Sequence, residues 1–405
     1  MSKKLIALIL LFMLTFTACS EAVTQEAEVP NAQENTQVYI EPEKTEEVRG
    51  VWISYIEIRD NCGSETEFSA YMNEMFEAFS RIGMTDVFFH VRPFGDALYP
   101  SELFPTSSTV CENQGDELSF DPLSTVLTIA SAYGMRLHGW INPYRASSDS
   151  DLEKLSDSNM AKIWYLEGNG DVNLIGDRYY FNPASDKVRE LITEGAAELL
   201  RKYPDLAGIH IDDYFYPENC GDFDRSSYEK YLENGGDMSR EQWRRENVNI
   251  LVKELYGKVK SFGEDKLFSI SPTGKIDTCV NKLYADVELW ASQEGYCDIL
   301  LPQIYFGFEN ESQPFEACLD SWVSLCEGSS VRIIPALALY KCGKEDAYAG
   351  ESGKNEWENN SDIIKRQVEC IKEKGLDGFS LYSGSYVNFS ESFYKKELDN
   401  LNSVL

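Results

Sequence analysis

Eight short runs rich in β-branched and aromatic residues recur along this chain, and a segment with helical spacing separates each from the next. The runs are RGVWIS (49–54), DVFFHVRPF (86–94), RLHGWIN (136–142), GIHIDDYFY (208–216), KLFSISPT (266–273), CDILLPQIYF (297–306), VRIIPALALY (331–340) and GFSLYSG (378–384). Strict alternation of strand and helix makes the strands parallel, because every crossover brings the chain back to the same end of the sheet. Eight such units within 405 residues predict an α/β protein of the (β/α)8 TIM barrel class. Its 23 Tyr and 21 Phe supply enough apolar area for the two layers such a barrel must bury. No internal repeat or second domain is visible.

The helical segments carry their own boundary signals. Ser64 and Glu67 form a capping-box pattern ahead of Phe68, Met72, Met75, Phe76 and Phe79 at helical spacing. Asp121-Pro122 opens a helix that Gly134 closes, and Ser239 with Gln242 opens a longer one carrying Trp243, Leu251 and Val259. Val188, Ile192 and Leu199 make another stripe, and helices are expected near 282–294, 314–327, 361–374 and 390–400. Long loops, 95–120, 143–184 and 214–238, follow strands two, three and four. Barrels carry their chemistry at that end of the strands.

The barrel is expected over residues 48–405. Ahead of it, Lys3 and Lys4 precede an apolar run from Leu5 to Phe16 and then Thr17-Ala18-Cys19. A basic start, a short apolar core and small residues before a cysteine resemble a bacterial lipoprotein signal, although Phe16 stands where Leu is commoner. Residues 1–19 then form the signal and the lipidation site, with Cys19 as the lipid-bearing residue. A plain secreted protein or an uncleaved anchor is the alternative. Residues 20–47 are Glu-rich and almost free of aromatics, which suits a disordered tether between a membrane anchor and the barrel. The expected location is thus the outer side of the cytoplasmic membrane. The other nine cysteines show no C-x-x-C pair, so neither a zinc knuckle nor a disulfide framework is signalled. A formal charge of −31 argues against nucleic acid as a partner.

Side chains alternate between bore and helices along a barrel strand. Val87, Phe89 and Val91 of strand two should meet helices, leaving Phe88, His90 and Arg92 facing inward. The same parity sends His138, Trp140 and Asn142 inward from strand three, and His210 and Asp212 from strand four. All three histidines of the chain fall on the inward face. They read as a polar floor orienting the residues above, as satisfied core histidines, or as a zinc ligand set; the last lacks any H-x-H or H-E-x-x-H spacing.

Asp212 and Asp213 end strand four, where the mouth of a barrel lies. Glycoside hydrolysis needs two carboxyl groups, one protonated and one ionised. Asp212 is the expected general acid. Asp213 can join it only if the backbone turns there, and Asp96, Asp277 and Glu309 are the other candidate partners. Strand seven ends in ALALY without a carboxylate, which disfavours a nucleophile in the common position after that strand. An inverting mechanism, or attack by the substrate's own acetamido group, remains. Trp52, Trp140, Tyr99, Tyr144, Tyr214, Tyr216, Tyr305, Tyr340 and Tyr382 lie at or just beyond strand ends, and aromatic faces with nearby amides suit a carbohydrate.

In this order, RGVWIS, FFHVRPFGDALYPSELFP, GMRLHGWINPYR, GIHIDDYFYP, LPQIYF and GFSLYS resemble the glycosyl-hydrolase-like ten family over roughly residues 48–400. Its bacterial members include lipoproteins described as divisome-localised glycosidases. The resemblance implies a (β/α)8 barrel that cleaves peptidoglycan glycan strands, favouring stretches stripped of stem peptides. It points to Arg92, Asp96, Trp140, Asn142, Arg145, Asp212, Asp213, Tyr214, Gln303 and Tyr305; Tyr382 joins them as a substrate-binding aromatic. The expectation is a glycosidase using carboxylate acid/base chemistry with no metal and no cofactor. A non-catalytic glycan-binding lipoprotein on the same scaffold is the alternative.

Overall fold

A computed structural model describes residues 46–388 and 391–405. The expected signal, the lipidation site Cys19 and all but the last two residues of the tether lie outside the described residues. No described helix is long and apolar enough to cross a membrane.

Nine parallel strands form one sheet: β1 (Val48–Ile53), β2 (Asp86–Arg92), β3 (Arg136–Ile141), β4 (Gly208–Ile211), β5 (Leu267–Ile270), β6 (Ile299–Leu300), β7 (Arg332–Ile333), β8 (Ala336–Leu337) and β9 (Gly378–Leu381). Pairing runs β8-β9-β1-β2-β3-β4-β5-β6-β7. The two ends of that series are one stretch of chain, since only Ile334 and Pro335 separate β7 from β8. Pro335 has no N–H to give to the ladder, but its carbonyl accepts the Ser380 N–H at 2.9 Å. β7 and β8 are therefore two halves of the seventh stave, and the ring closes as the (β/α)8 barrel expected from the sequence.

One main helix follows each stave: α1 (Glu65–Arg81), α2 (Pro122–Ala132), α3 (Asp186–Lys202), α4 (Arg240–Lys260), α5 (Val287–Ser292), α6 (Phe315–Leu325), α7 (Ile363–Glu373) and α8 (Ser392–Asn402). Their starts follow the sequence signals. Ser64 Oγ accepts the Glu67 N–H, Asp121 accepts two N–H groups of α2, and Ser239 with Gln242 completes a reciprocal capping box. Phe68, Met72, Met75, Phe76 and Phe79 of α1 are all fully buried, each contributing ~2 kcal/mol of apolar burial. Inside the bore, Trp52, Phe88, Trp140, Ile299, Leu301 and Ile334 pack as a separate apolar cluster. The nine cysteines of the described residues are all unpaired.

Parity holds through His90 and then fails. The β2–β3 register runs His90 with Trp140 and then Arg92 with Ile141, so Val91 is an extra residue. Such a bulge turns over every side chain beyond it. Arg92, expected in the bore, instead lies on the helix side with its guanidinium 4.2 Å from the Phe104 ring centroid. A Cβ on Gly195 of α3 would collide with that guanidinium.

The loop after β3 was expected to be long and carries a helix, Met160–Glu167, and an antiparallel hairpin, Val172–Ile175 with Arg178–Phe181. The loop after β4 holds a further helix, Arg225–Glu233.

Candidate active site

β4 ends at Ile211 and the chain turns at once, with the Phe215 N–H donating to the Asp213 carbonyl at 2.9 Å. That turn is what Asp213 needed in order to share the cleft with Asp212, and both side chains line it. Asp212 is 3% exposed and held at both oxygens. The Trp140 Nε1–H donates to Oδ2 at 3.0 Å and the Tyr214 N–H to Oδ1 at 3.2 Å. Asp213 is half-buried beside Gln303, whose amide also donates to the Ser271 carbonyl at 3.0 Å.

Burial, and then the neighbouring charge of Asp213, push the Asp212 carboxyl up to about 8. Burial also raises Asp213, against the opposing effect of Gln303. Two neighbouring carboxyls that feel each other's charge, one of them fully buried, do not both ionise readily, so the pair retains a proton near neutral pH.

Of the three histidines His90 borders the cleft while His138 and His210 do not, and each has separate partners. His90 stacks on Trp140 at 3.7 Å and 11°, and its Nε2 meets Asn142 Oδ1 at 2.8 Å. The Trp52 Nε1–H donates to His210 Nε2 at 3.1 Å, which puts the His210 proton on Nδ1, facing Ser269 Oγ at 2.8 Å. Burial holds His90 and His210 well below the usual imidazole range, so both are neutral. His138 meets Asp86 at 2.9 Å near the start of β2. Among the described residues no group of three or more His, Cys, Asp or Glu is arranged to hold a metal ion.

The cleft encloses about 350 Å³. Trp52, Trp140, Tyr55, Tyr305, Tyr340 and Tyr382 wall it with rings, and Asp212 and Asp213 are the carboxylates that line it. A second hollow of about 210 Å³ begins on the other side of Asp213 and Tyr214, which border both. Tyr214 is 42% exposed. Arg145 supports it from behind, with its guanidinium 4.2 Å from the Tyr214 ring centroid and 4.7 Å from that of Phe94. A flat exposed ring between two hollows suits stacking against a sugar ring.

Of the residues singled out in the sequence, Trp140, Arg145, Asp212, Asp213, Tyr214, Gln303, Tyr305 and Tyr382 come together here. Asn142 is buried just past the end of β3 and fixes His90 without itself lining the cleft. Asp96 does not join the pair, because the loop after β2 doubles back along its own strand, with Leu98 N–H on the Val91 carbonyl at 2.9 Å. Its buried carboxyl accepts from Gln114 at 2.8 Å instead. Asp277 and Glu309 are exposed and off the cleft. Ser271 was missed although parity from Ser269 marks it as inward. Tyr55 and Arg178 also line the cleft, and Arg178 sits on a hairpin that no local signal tied to the mouth.

Solved structures that share this fold include glycosidases. The glycoside hydrolase domain of PgaB (BpsB) from Bordetella bronchiseptica matches with a TM-score of 0.56 at 12% identity, over 89% of this chain and 98% of that one. A β-galactosidase from Rahnella sp. R3 matches with a TM-score of 0.59 at 11% identity, over 89% of this chain and 56% of that one. The fold is that of glycoside-hydrolase barrels. Residues 47–350 match the model of the Glycosyl hydrolase-like 10 family, and the chain belongs to that family. Glycosyl hydrolase DigH of Escherichia coli (strain K12) is 27% identical over 384 residues, 85% of each chain. Glycosyl hydrolase YngK of Bacillus subtilis (strain 168) is 29% identical over 324 residues, 73% of this chain and 61% of that one.

Proposed function

We propose that this protein hydrolyses glycan strands of the peptidoglycan type, or a related polymer rich in N-acetylhexosamine. The observation that carries the reading is the consecutive pair Asp212 and Asp213, both in one aromatic-walled cleft at the mouth of the barrel. Among the described residues no other carboxylate lines that cleft. A pair on one side, with tyrosines opposite, offers no protein nucleophile or base across the sugar ring. Attack by the substrate's own 2-acetamido oxygen fits such a site.

Strand parity makes Asp212 the expected acid, but the depths of the two side chains favour exchanging the roles. Asp213 borders both hollows, where the leaving oxygen of a bond between two bound sugars would lie. Asp212 is pinned by Trp140 and Tyr214. An acetamido N–H donating to Asp212 stabilises its charged form. The pair's proton then moves to Asp213, which delivers it to the leaving oxygen as the acetamido oxygen bonds to the anomeric carbon. Water opens the cyclic intermediate, with Asp213 now taking a proton.

Export and a lipid anchor at Cys19 belong to the same proposal, on the strength of the N-terminal pattern. The experiment is incubation of the whole chain with peptide-free wall glycan, wild type beside Asp212→Asn and Asp213→Asn. New reducing ends from wild type alone are expected. Binding without any release would instead support the non-catalytic glycan binder.

A further inference from the structure

The cleft is lined by two cations, Arg145 and Arg178, in a chain of formal charge −31. Arg145 is 6% exposed, with its guanidinium over the faces of Phe94 and Tyr214 and its charge felt by Asp212 and Asp213. Its Nε has no hydrogen-bond partner among the described residues, although burying such a donor unpaired is costly. Arg178 Nε also lacks a hydrogen-bond partner; its nearest carboxylate is the exposed Asp177, at 3.7 Å.

The backbone holds these two side chains together. The second strand of the hairpin is stitched to the segment after β3. The Phe181 N–H donates to the Tyr144 carbonyl at 2.9 Å and the Ala146 N–H to the Tyr179 carbonyl at 3.0 Å. Arg145 thus pairs antiparallel with Tyr180. Arg178, two residues before Tyr180, is then the diagonal neighbour of Arg145 on the same face of the ladder. Diagonal neighbours lie ~7–8 Å apart at the backbone, within reach of long side chains. Two guanidiniums on one face, lining the cleft and each with an Nε free of hydrogen bonds, can converge on a single carboxylate through charge-assisted bonds.

Building on the glycosidase reading, we propose that Arg145 and Arg178 form a carboxylate-reading subsite beside the Asp212–Asp213 pair. The glycan selected is then an N-acetylhexosamine polymer with a free carboxylate on its sugars. Arg178, carried by the hairpin, is the specificity residue. Arg145, which also supports Tyr214, is shared with the sugar platform. The carboxylate can come from an ether-linked acid substituent on the amino sugar or from an alternating uronic acid.

The test measures binding of four glycans to the whole chain: peptide-free wall glycan, the same glycan with its carboxyls methyl-esterified, a neutral N-acetylglucosamine oligomer, and an alternating uronate–N-acetylhexosamine polymer. Wild type should bind the free acid roughly ten- to hundred-fold more tightly than its ester, the span of one to two charge-assisted bonds. That preference should weaken in high salt. In Arg178→Gln the acid-to-ester ratio should collapse towards one. Tight uronate binding with weak wall-glycan binding would assign the carboxylate to the backbone sugar, and the converse to the substituent; either supports the subsite. Equal wild-type affinity for acid and ester overturns it and needs no variant to fold. So does an unchanged ratio in Arg178→Gln. Wild type that binds none of the four contradicts the underlying glycan reading instead.

Discussion

Replacing Asp212 by asparagine should stabilise the folded protein at neutral pH while removing its activity. The carboxyl sits at about 8 against an ordinary value of 3.8, from burial first and the Asp213 charge second. A group raised in this way favours folding below its unfolded value and becomes a burden as pH climbs towards its folded one. At ~1.4 kcal/mol for each tenfold change in proton affinity, the burden at pH 7 reaches ~4 kcal/mol. Asparagine removes it, but turns an amide NH2 towards either the Trp140 Nε1–H or the Tyr214 N–H. One buried donor then loses its acceptor, at ~1–3 kcal/mol. The net gain is ~1–3 kcal/mol at pH 7, growing towards pH 8 and vanishing or reversing near pH 4. Urea unfolding followed by tryptophan fluorescence from pH 4 to 8 measures it. A difference between variant and wild type that stays flat across that range would refute the claim that Asp212 is held protonated.

Two further substitutions probe the site and its frame. Asp213→Asn should slow cleavage of unactivated glycan by ~10²–10⁴-fold yet retain turnover of an aryl glycoside with a good leaving group. Asp212→Asn should lose both, as kcat on the two substrates would show. Gly195→Ala should destabilise by ~1–3 kcal/mol through overpacking against Arg92 and Phe104. Thermal unfolding measures it; an unchanged or raised Tm would contradict the packing of Arg92 and Phe104 against α3.

The barrel was legible because alternation of strand and helix is written residue by residue. Ser64, Asp121 and Ser239 all cap helices where their patterns indicate. Parity also assigned Phe88, His90, His138, Trp140 and His210 to the bore, since each strand's apolar face has to meet helices. It failed at Arg92 because a bulge depends on the partner strand's register, which no single strand records. Asp96 failed for a related reason: the path of a long loop is set by what it folds back on. Arg178 was hidden because its neighbour on the ladder, Arg145, is distant in sequence. Asp213 was readable only as a conditional, and the turn after Ile211 met the condition.

The most direct test of the account compares the same peptide-free wall glycan before and after removal of its N-acetyl groups. If the Asp212–Asp213 pair works with the substrate's own acetamido group, wild type releases reducing ends from the acetylated strands. It then leaves the deacetylated strands uncut even where they bind. Comparable cleavage of both glycans, or binding of the acetylated glycan with no cleavage at all, would contradict the account.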